Sequence, residues 1–170
     1  MRRTAYHNQF NPLRADSKIS LIGRQWLAGI IISLFCCTQV SIGQTVTAVD
    51  SAEAENGVLT GVHVATTSPG YSGTGYVTGF DEDGDKVTVT VSVPEKGLYK
   101  IVVRYKGPYG DKYQDIYVNN GFSSPVSFPA TSAFTDIDAG SYIFNEGTNT
   151  ITLLKSWGWM EVDKFTVYTT

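Results

Sequence analysis

The chain has 170 residues, of which 42% are hydrophobic, so it is long enough for one globular domain with a core of its own. Its formal net charge is −3, but the first 43 residues hold five basic side chains and one acidic side chain, which leaves a net charge of −7 for residues 44–170. Such an acidic domain binds nucleic acids and anionic membranes poorly. A neutral ligand, or one bound through a bridging cation, is therefore favoured.

The N-terminal segment is typical of a secretory signal. A basic region precedes an apolar stretch from Trp26 to Cys37, which is shorter than the roughly 20 residues needed to span a bilayer. Ser41-Ile-Gly43 fits a cleavage site. We expect a signal peptide over 1–43, a mature domain over 44–170, a secreted or periplasmic location and no membrane association after cleavage. Because the basic region is long, a retained signal anchor is the alternative.

The mature part predicts an all-β domain, because period-2 alternation recurs through it and helical spacing does not. The predicted strands span 50–55, 58–65, 75–80, 86–93, 98–106, 113–119, 124–128, 133–144, 149–154 and 160–168. The turn residues Pro94–Gly97 predict that strands 86–93 and 98–106 pair as a hairpin. Many short strands separated by Gly, Pro, Asn and Asp favour a two-sheet β-sandwich or jelly roll.

Catalytic residues are scarce in this domain. His63 is the only histidine of residues 44–170, and no cysteine accompanies it, so a nucleophilic triad or a His/Cys zinc site lacks partners. His63 alternates with apolar neighbours, which indicates an outward-facing strand residue. Paired carboxylates for glycoside hydrolysis would need a deep cleft. We predict a non-catalytic domain, with a small glycoside-active enzyme as the alternative.

Two groups of acidic residues invite a metal-binding interpretation. Glu53 and Glu55, two apart on a predicted strand, would present both carboxylates on one side. They form either a solvated edge or part of a calcium site, for which carboxylate oxygens are suitable ligands. Asp81–Asp85 begins like an EF-hand loop, but Lys86 stands where that loop needs glycine. We interpret it as a solvated turn.

Aromatic residues are concentrated in two predicted loops. Trp157-Gly-Trp159 contains the only tryptophans of the mature part, and Gly110-Asp-Lys is flanked by two tyrosines in another predicted hairpin loop. Aromatic faces pack on the C–H faces of sugars while nearby polar groups bind the hydroxyls. A buried structural role for one tryptophan is the alternative. The candidate carbohydrate-binding residues are Tyr109, Asp111, Lys112, Tyr113, Lys155, Trp157 and Trp159.

Several segments together resemble family 35 of the carbohydrate-binding modules, relatives of family 6, over Val49 to Tyr168. The general match rests on Ala52-Glu-Ala-Glu-Asn56, Gly70-Tyr-Ser-Gly-Thr-Gly-Tyr-Val77, Asn149-Thr-Ile151 and Val162-Asp-Lys-Phe165. Three more segments resemble the subgroup attached to β-mannanases of glycoside hydrolase family 26. These are Gly107-Pro-Tyr-Gly-Asp-Lys-Tyr113, Val126-Ser-Phe-Pro129 and Trp157-Gly-Trp159.

The resemblance implies a β-sandwich jelly roll of the galactose-binding-domain-like type, stabilised by a structural Ca²⁺. The implied calcium ligands are Glu53, Glu55 and Asp163, with backbone carbonyls around Ser72 and Gly75. The implied sugar site is at one end of the sandwich. Because no comparable group of acidic residues surrounds Trp157, we predict no second, ligand-bridging calcium there. A clamp of this kind would tie the first strand to the last in a domain without disulfides.

The resemblance also implies the function. The expected ligand is a β-mannan of the plant cell wall, glucomannan or galactomannan, and the expected partner is a glycoside hydrolase, either separate or attached. The alternatives are the targeting fragment of a longer mannan endo-1,4-β-mannosidase, a module of this fold for xylan or uronic-acid polymers, and an adhesion domain that binds protein.

Overall fold

The computed structural model describes residues 45–121 and 125–170, all within one structural unit, Ser41–Thr170. The predicted signal peptide over 1–43 lies outside the described residues. In chain order the elements are β1 (Ala48–Glu53), a 3₁₀ turn (Ala54–Asn56), β2 (Val58–Thr60), β3 (His63–Ala65), β4 (Tyr76–Thr78), β5 (Lys86–Val93), β6 (Gly97–Lys106), β7 (Lys112–Val118), β8 (Pro125–Phe128), β9 (Thr135–Phe144), β10 (Gly147–Trp157) and β11 (Glu161–Thr169). Among the described residues there is no α-helix, and no helix is long and apolar enough to cross a bilayer.

The strands form two antiparallel sheets. The first has six strands in the order β3-β4-β11-β6-β9, with β1 also pairing with β11. The second has five strands in the order β2-β5-β10-β7-β8. This arrangement confirms the predicted two-sheet β-sandwich.

The core lies between the sheets and follows the period-2 pattern. Val87, Val89, Val91 and Val93 of β5 are at most 2% exposed, whereas the threonines and serine between them lie on the outer face. Tyr99, Ile101, Val103 and Tyr105 of β6 face inward in the same way. Each such side chain contributes roughly 1.5–3 kcal/mol through its burial.

One predicted strand pairing and one predicted strand were wrong. Strands 86–93 and 98–106 do not form a hairpin, because β5 pairs with β2 and β10 in the second sheet while β6 pairs with β11 and β9 in the first. Each strand has one apolar face, and the two faces are buried across the sandwich instead of side by side. The predicted strand 58–65 is divided at Gly61, whose φ of 71° turns the chain from one sheet to the other.

Five connections meet at one end of the sandwich: β2–β3, β4–β5, β6–β7, β8–β9 and β10–β11. The register fixes this, since Lys112 pairs with Phe128 and Glu161 with Lys106. All five pass from one sheet to the other, and two of them are the connections 107–111 and 158–160. The residues predicted to bind carbohydrate lie on and beside these two connections.

The opposite end is held by a buried asparagine. Asn149 is 1% exposed, and its amide group donates to the carbonyls of Asn145 and Gly147, both at 2.8 Å. Its side-chain oxygen accepts from Asn119 Nδ2 at 2.7 Å and from the Asn145 backbone at 2.9 Å. Every polar atom of this side chain is therefore bonded, which is what its burial requires.

Candidate carbohydrate-binding site

Exposed aromatic rings lie on and beside the connections 107–111 and 158–160. Tyr109, in the connection 107–111, is 80% exposed, and Trp157, the last residue of β10, is 62% exposed. Tyr113 is 46% exposed and lies on β7, in agreement with the predicted strand 113–119 that begins at this residue. Large apolar side chains with this exposure contribute little to the core, so they are available to a ligand.

The four rings form two neighbouring pairs. The Tyr109 and Trp159 ring centroids are 6.2 Å apart, with the ring planes inclined by 38°. Tyr113 and Trp157 are cross-strand partners of β7 and β10, next to a bulge in β10. Trp159 is half-buried, and it follows Trp157 by two residues. We call Tyr109, Tyr113, Trp157 and Trp159 the ring cluster.

The polar candidates differ in their surroundings. Asp111 is exposed, and its Oδ1 accepts a hydrogen bond from the Ala130 backbone at 3.0 Å. Lys155 is mostly covered, and its ammonium pairs with Asp83 Oδ1 at 3.1 Å. Its role as a sugar contact stays a prediction. Lys112 is only 3% exposed, so the prediction that it reads sugar hydroxyls is wrong.

Beneath the ring cluster, a core tyrosine contacts the end of β8. The Tyr105 hydroxyl donates to the Pro129 carbonyl at 2.6 Å, and the Tyr105 ring packs edge-on against Phe128. Burial, together with the nearby Asp111 carboxylate, raises the pKa of Tyr105. Tyr105 thus remains neutral, and its hydroxyl holds the start of the 129–134 connection through its hydrogen bond to Pro129.

A second group of candidate residues lies on and beside the first sheet, where three acidic side chains approach the loop between β3 and β4. Ser72 donates its backbone N–H to Asp163 Oδ1 at 2.9 Å and its hydroxyl to Glu53 Oε2 at 2.7 Å. Asp163 is fully buried, on β11. The loop therefore joins the first and the last strand of the domain through these two carboxylates.

Glu55 approaches the same loop from a different element than predicted. It lies in the 3₁₀ turn, not on the strand that carries Glu53, and its Oε1 accepts the Thr74 backbone N–H at 2.7 Å. A Cβ at Gly73, where φ is 63°, would overlap Glu55 Oε1 and crowd Glu53. The close approach of both glutamates thus requires glycine at this position. We call Glu53, Glu55 and Asp163 the acid cluster.

Two cations compensate the acid cluster in part. Arg104 Nε lies 3.0 Å from Asp163 Oδ2, and Lys164 Nζ lies 3.6 Å from Glu53 Oε1. Burial raises the pKa of Asp163, and the charge of Glu53 adds to this, while Ser72 and Arg104 act in the opposite direction. Three carboxylates thus face two cations, and Glu55 Oε2 is buried with no hydrogen-bond partner.

In residues 45–121 and 125–170, no group of three or more His, Cys, Asp or Glu side chains is arranged closely enough to hold a metal ion as it stands. The loop amides of Ser72 and Thr74 occupy carboxylate oxygens that a metal would need. Gly75 packs against Val64 and the carbonyl of Ala65 on β3. The five predicted calcium ligands thus stay predictions. Hydrogen bonds connect Glu53 and Asp163 to Ser72 of this loop, and Glu55 to Thr74 of the same loop.

Sequence reasoning missed the residues that anchor this loop from the other side. Lys106 Nζ donates to Ser68 Oγ at 2.7 Å and lies 3.1 Å from Glu161 Oε2, and Ser68 Oγ donates to Glu161 Oε1 at 2.8 Å. Lys106 and Arg104 alternate with the apolar inward residues of β6, which places them on the outer face. That alternation was visible in the sequence, but the loop they bind was not.

Two other sequence interpretations are settled by the structure. His63 is exposed at the start of β3, as predicted for an outward strand residue. In the turn 81–85, Asp85 is buried, and its Oδ2 accepts the backbone N–H groups of Asp81 and Glu82 at 2.8 and 2.7 Å. This carboxylate caps its own turn, so the turn is only partly solvated.

Comparison with known proteins identifies the family to which this domain belongs. The family model described as "Carbohydrate binding module (family 35)" matches residues 50–170. The chain belongs to family 35 of the carbohydrate-binding modules. This family 35 module is therefore a binding domain and not a catalytic one, as the sequence predicted.

The relatives of the family 35 module include larger enzymes and isolated domains. A mannan endo-1,4-beta-mannosidase of Thermothelomyces thermophilus is 45% identical over 121 residues, which are 71% of this chain and 25% of that protein. The crystal structure of a Podospora anserina GH26-CBM35 β-(1,4)-mannanase is 44% identical, with a TM-score of 0.67 over 71% of this chain and 27% of that one. The structure of CBM35 from Paenibacillus barcinonensis is 28% identical, with a TM-score of 0.66 over 71% of this chain and 98% of that one. The chain thus spans about a quarter of the length of the curated mannanase it matches.

Proposed function

We propose that the family 35 module binds β-mannan, glucomannan or galactomannan, through the ring cluster. The observation that carries the proposal is the pairing of exposed aromatic rings at one end of the sandwich, Tyr109 beside Trp159 and Tyr113 beside Trp157. Rings of this kind pack on the C–H faces of pyranose units. The two relatives that are 45% and 44% identical to this chain are named as β-mannanases, which supports mannan over other polysaccharides.

Neutral polysaccharide suits the charges at this end. Asp111 is exposed beside Tyr109, where a carboxylate accepts hydrogen bonds from sugar hydroxyls. Lys155, two residues before Trp157 on β10, would donate to a sugar hydroxyl, and its partner Asp83 keeps the pair neutral. A few polar groups beside apolar rings are the usual composition of a sugar site.

We further propose a structural Ca²⁺ at the acid cluster. Glu53, Glu55 and Asp163 would supply carboxylate oxygens, and carbonyls around Ser72 and Gly75 would complete the ligands. The unpartnered Glu55 Oε2, the excess of one carboxylate over the two nearby cations, and the glycine at position 73 fit a cation here. Bound calcium would supply positive charge that ties β1 and β11 to the loop between β3 and β4.

In its biological setting the module would raise the local concentration of a mannanase on its insoluble substrate. The hydrolase would be either part of a longer chain or a separate protein. Residues 1–43 would direct the protein out of the cell. Plant cell-wall mannan would be the partner that the module meets there.

Affinity electrophoresis of the purified protein through gels containing glucomannan, galactomannan, xylan or pectin tests the ligand. Retardation by the two mannans, lost in Trp157→Ala, is the expected result. Retardation by xylan or pectin alone would keep the site and replace the ligand with a xylan or uronic-acid polymer. Free migration in all four gels would refute polysaccharide binding and favour an adhesion domain.

A further inference from the structure

Two polar side chains are buried side by side beneath the ring cluster. Lys112 is 3% exposed and Gln114 is 0% exposed, and both point into the core from the start of β7. Burial of a charged or an amide side chain is costly unless its polar atoms are bonded. Their bonding partners therefore indicate why this strand begins with polar residues where its alternation calls for apolar ones.

Lys112 connects the two loops that carry the rings. Its ammonium donates to the Tyr109 carbonyl at 2.6 Å and also to the Gly110 carbonyl. None of the ion pairs within residues 45–121 and 125–170 involves it. Its aliphatic stem lies directly against Gly158, where a Cβ would overlap Lys112 Cδ. One side chain thus contacts the 107–111 loop with its head and the 158–160 loop with its stem.

Gln114 holds the second loop from both sides. Its Nε2 donates to the Gly158 carbonyl at 2.8 Å, with the Trp157 carbonyl at 3.5 Å, and its Oε1 accepts the Ser156 backbone N–H at 2.8 Å. These bonds span the bulge at which β10 leaves its register with β7. The backbone on either side of Trp157 is therefore fixed by one amide group.

We infer that Lys112 and Gln114 are positioning residues of the carbohydrate site, which set the spacing between Tyr109 and the two tryptophans without contacting the ligand. The inference rests on the proposed function of the ring cluster. These bonds satisfy the buried polar atoms, and they end on the backbone of Tyr109 and of the residues on either side of Trp157, so the pair also acts on the position of the rings. The pair acts by keeping both loops in the ligand-competent arrangement before the polysaccharide arrives.

The expected effect follows from this arrangement. Each bond from a charged donor biases a local conformation by roughly tenfold. When the competent fraction of a protein falls, the apparent affinity falls by the same factor. Lys112→Met keeps the stem on Gly158 and removes the ammonium with both of its bonds, so we expect about a ten- to hundredfold loss of affinity for mannohexaose. We expect a lower association rate constant, because fewer molecules are in the competent conformation, and a dissociation rate constant close to that of the wild type.

Stopped-flow binding of mannohexaose and peptide-level hydrogen exchange of the full chain test the inference together. Lys112→Met and Gln114→Glu are compared with the wild type and with Lys100→Met, a matched control. Lys100 is 29% exposed and pairs with Asp138 on the first sheet, away from the rings. Gln114→Glu keeps the shape and the acceptor for Ser156 but loses the donor to Gly158.

The expected result is slower association and faster exchange in 107–111 and 156–159 for the two test variants, and wild-type behaviour for Lys100→Met. Saturating mannohexaose should restore slow exchange in these segments. Wild-type association rates in both test variants, measured well below their melting temperatures, would overturn the inference. If the wild type binds no polysaccharide, the proposed function fails. Hydrogen exchange then tests the positioning role alone, and exchange rates in 107–111 and 156–159 that are the same in the test variants as in the wild type would overturn it.

Discussion

Replacing Tyr109 by alanine separates ligand binding from folding. The residue is 80% exposed, so only about a fifth of its side chain is covered in the folded protein. For a tyrosine of roughly 200 Å², that is about 40 Å². At about 25 cal/mol per Å², the lost burial costs at most about 1 kcal/mol of the free energy of unfolding.

The effect on binding is larger than the effect on stability. A sugar ring that covers one face of Tyr109 would bury about half of its exposed area, roughly 80 Å², which is worth about 2 kcal/mol. That free energy corresponds to about a thirtyfold increase in Kd. Tyr109→Ala is therefore expected to weaken mannan binding about thirtyfold and to lower the melting temperature by no more than about 4 °C.

Titration calorimetry with manno-oligosaccharides measures Kd, and thermal denaturation measures stability. Tyr168→Ala is the control, since this half-buried tyrosine lies on β11 in contact with Lys100, far from the rings. It should lose stability and keep its affinity. An unchanged Kd in Tyr109→Ala would remove Tyr109 from the site, and a loss above about 3 kcal/mol of stability would show that its ring is structural.

The other predictions concern the metal, the second ring pair and the two ends of the sandwich. Calcium at 100 times its Kd should stabilise the protein by about 2.7 kcal/mol. The measurement is a rise in melting temperature, which EDTA should reverse and Glu55→Gln should abolish. A melting temperature that does not respond to EDTA would refute the calcium site. Trp157→Ala should abolish retardation in mannan gels while far-UV circular dichroism stays that of the wild type, and persistent retardation would contradict the ring cluster. Gly158→Ala, at a φ of 85° and against Lys112, should lower both affinity and melting temperature, whereas a neutral effect would show that the loop is free to move. Asn149→Ala should cost about 2–4 kcal/mol in urea unfolding by leaving backbone groups unpaired, with the Kd of the folded protein unchanged.

The strands were predictable from the sequence because burial repeats every second residue. The alternation in β5 and β6 identified both strands and their inward faces. It did not identify their partners, since a strand can bury its one apolar face whether the next strand pairs with it in the same sheet or lies in the facing sheet. The turn residues Pro94–Gly97 therefore suggested a hairpin where the chain in fact passes between sheets.

The sites were predictable in part for a similar reason. Trp157 and Tyr109 stood out because large rings beside glycines in predicted connections have few structural roles. Lys112 and Gln114 did not stand out as buried residues, because local patterning places polar residues outside. Glu55 was assigned to a strand because the 3₁₀ turn after β1 has no distinct local signal. Positions at which local rules fail are commonly those with a functional task.

The two connections that carry the rings both join one sheet to the other, so the distance between the sheets enters the geometry of the ligand site. Met160, which is fully buried, follows Trp159 directly, and the rings of Tyr105 and Phe128 fill the core beneath the neighbouring loop. A larger or smaller side chain at these positions would change the thickness of the sandwich and with it the spacing of the exposed rings. Selection for a new polysaccharide can therefore act on interior volume, and libraries meant to alter specificity should include residues that no sugar touches.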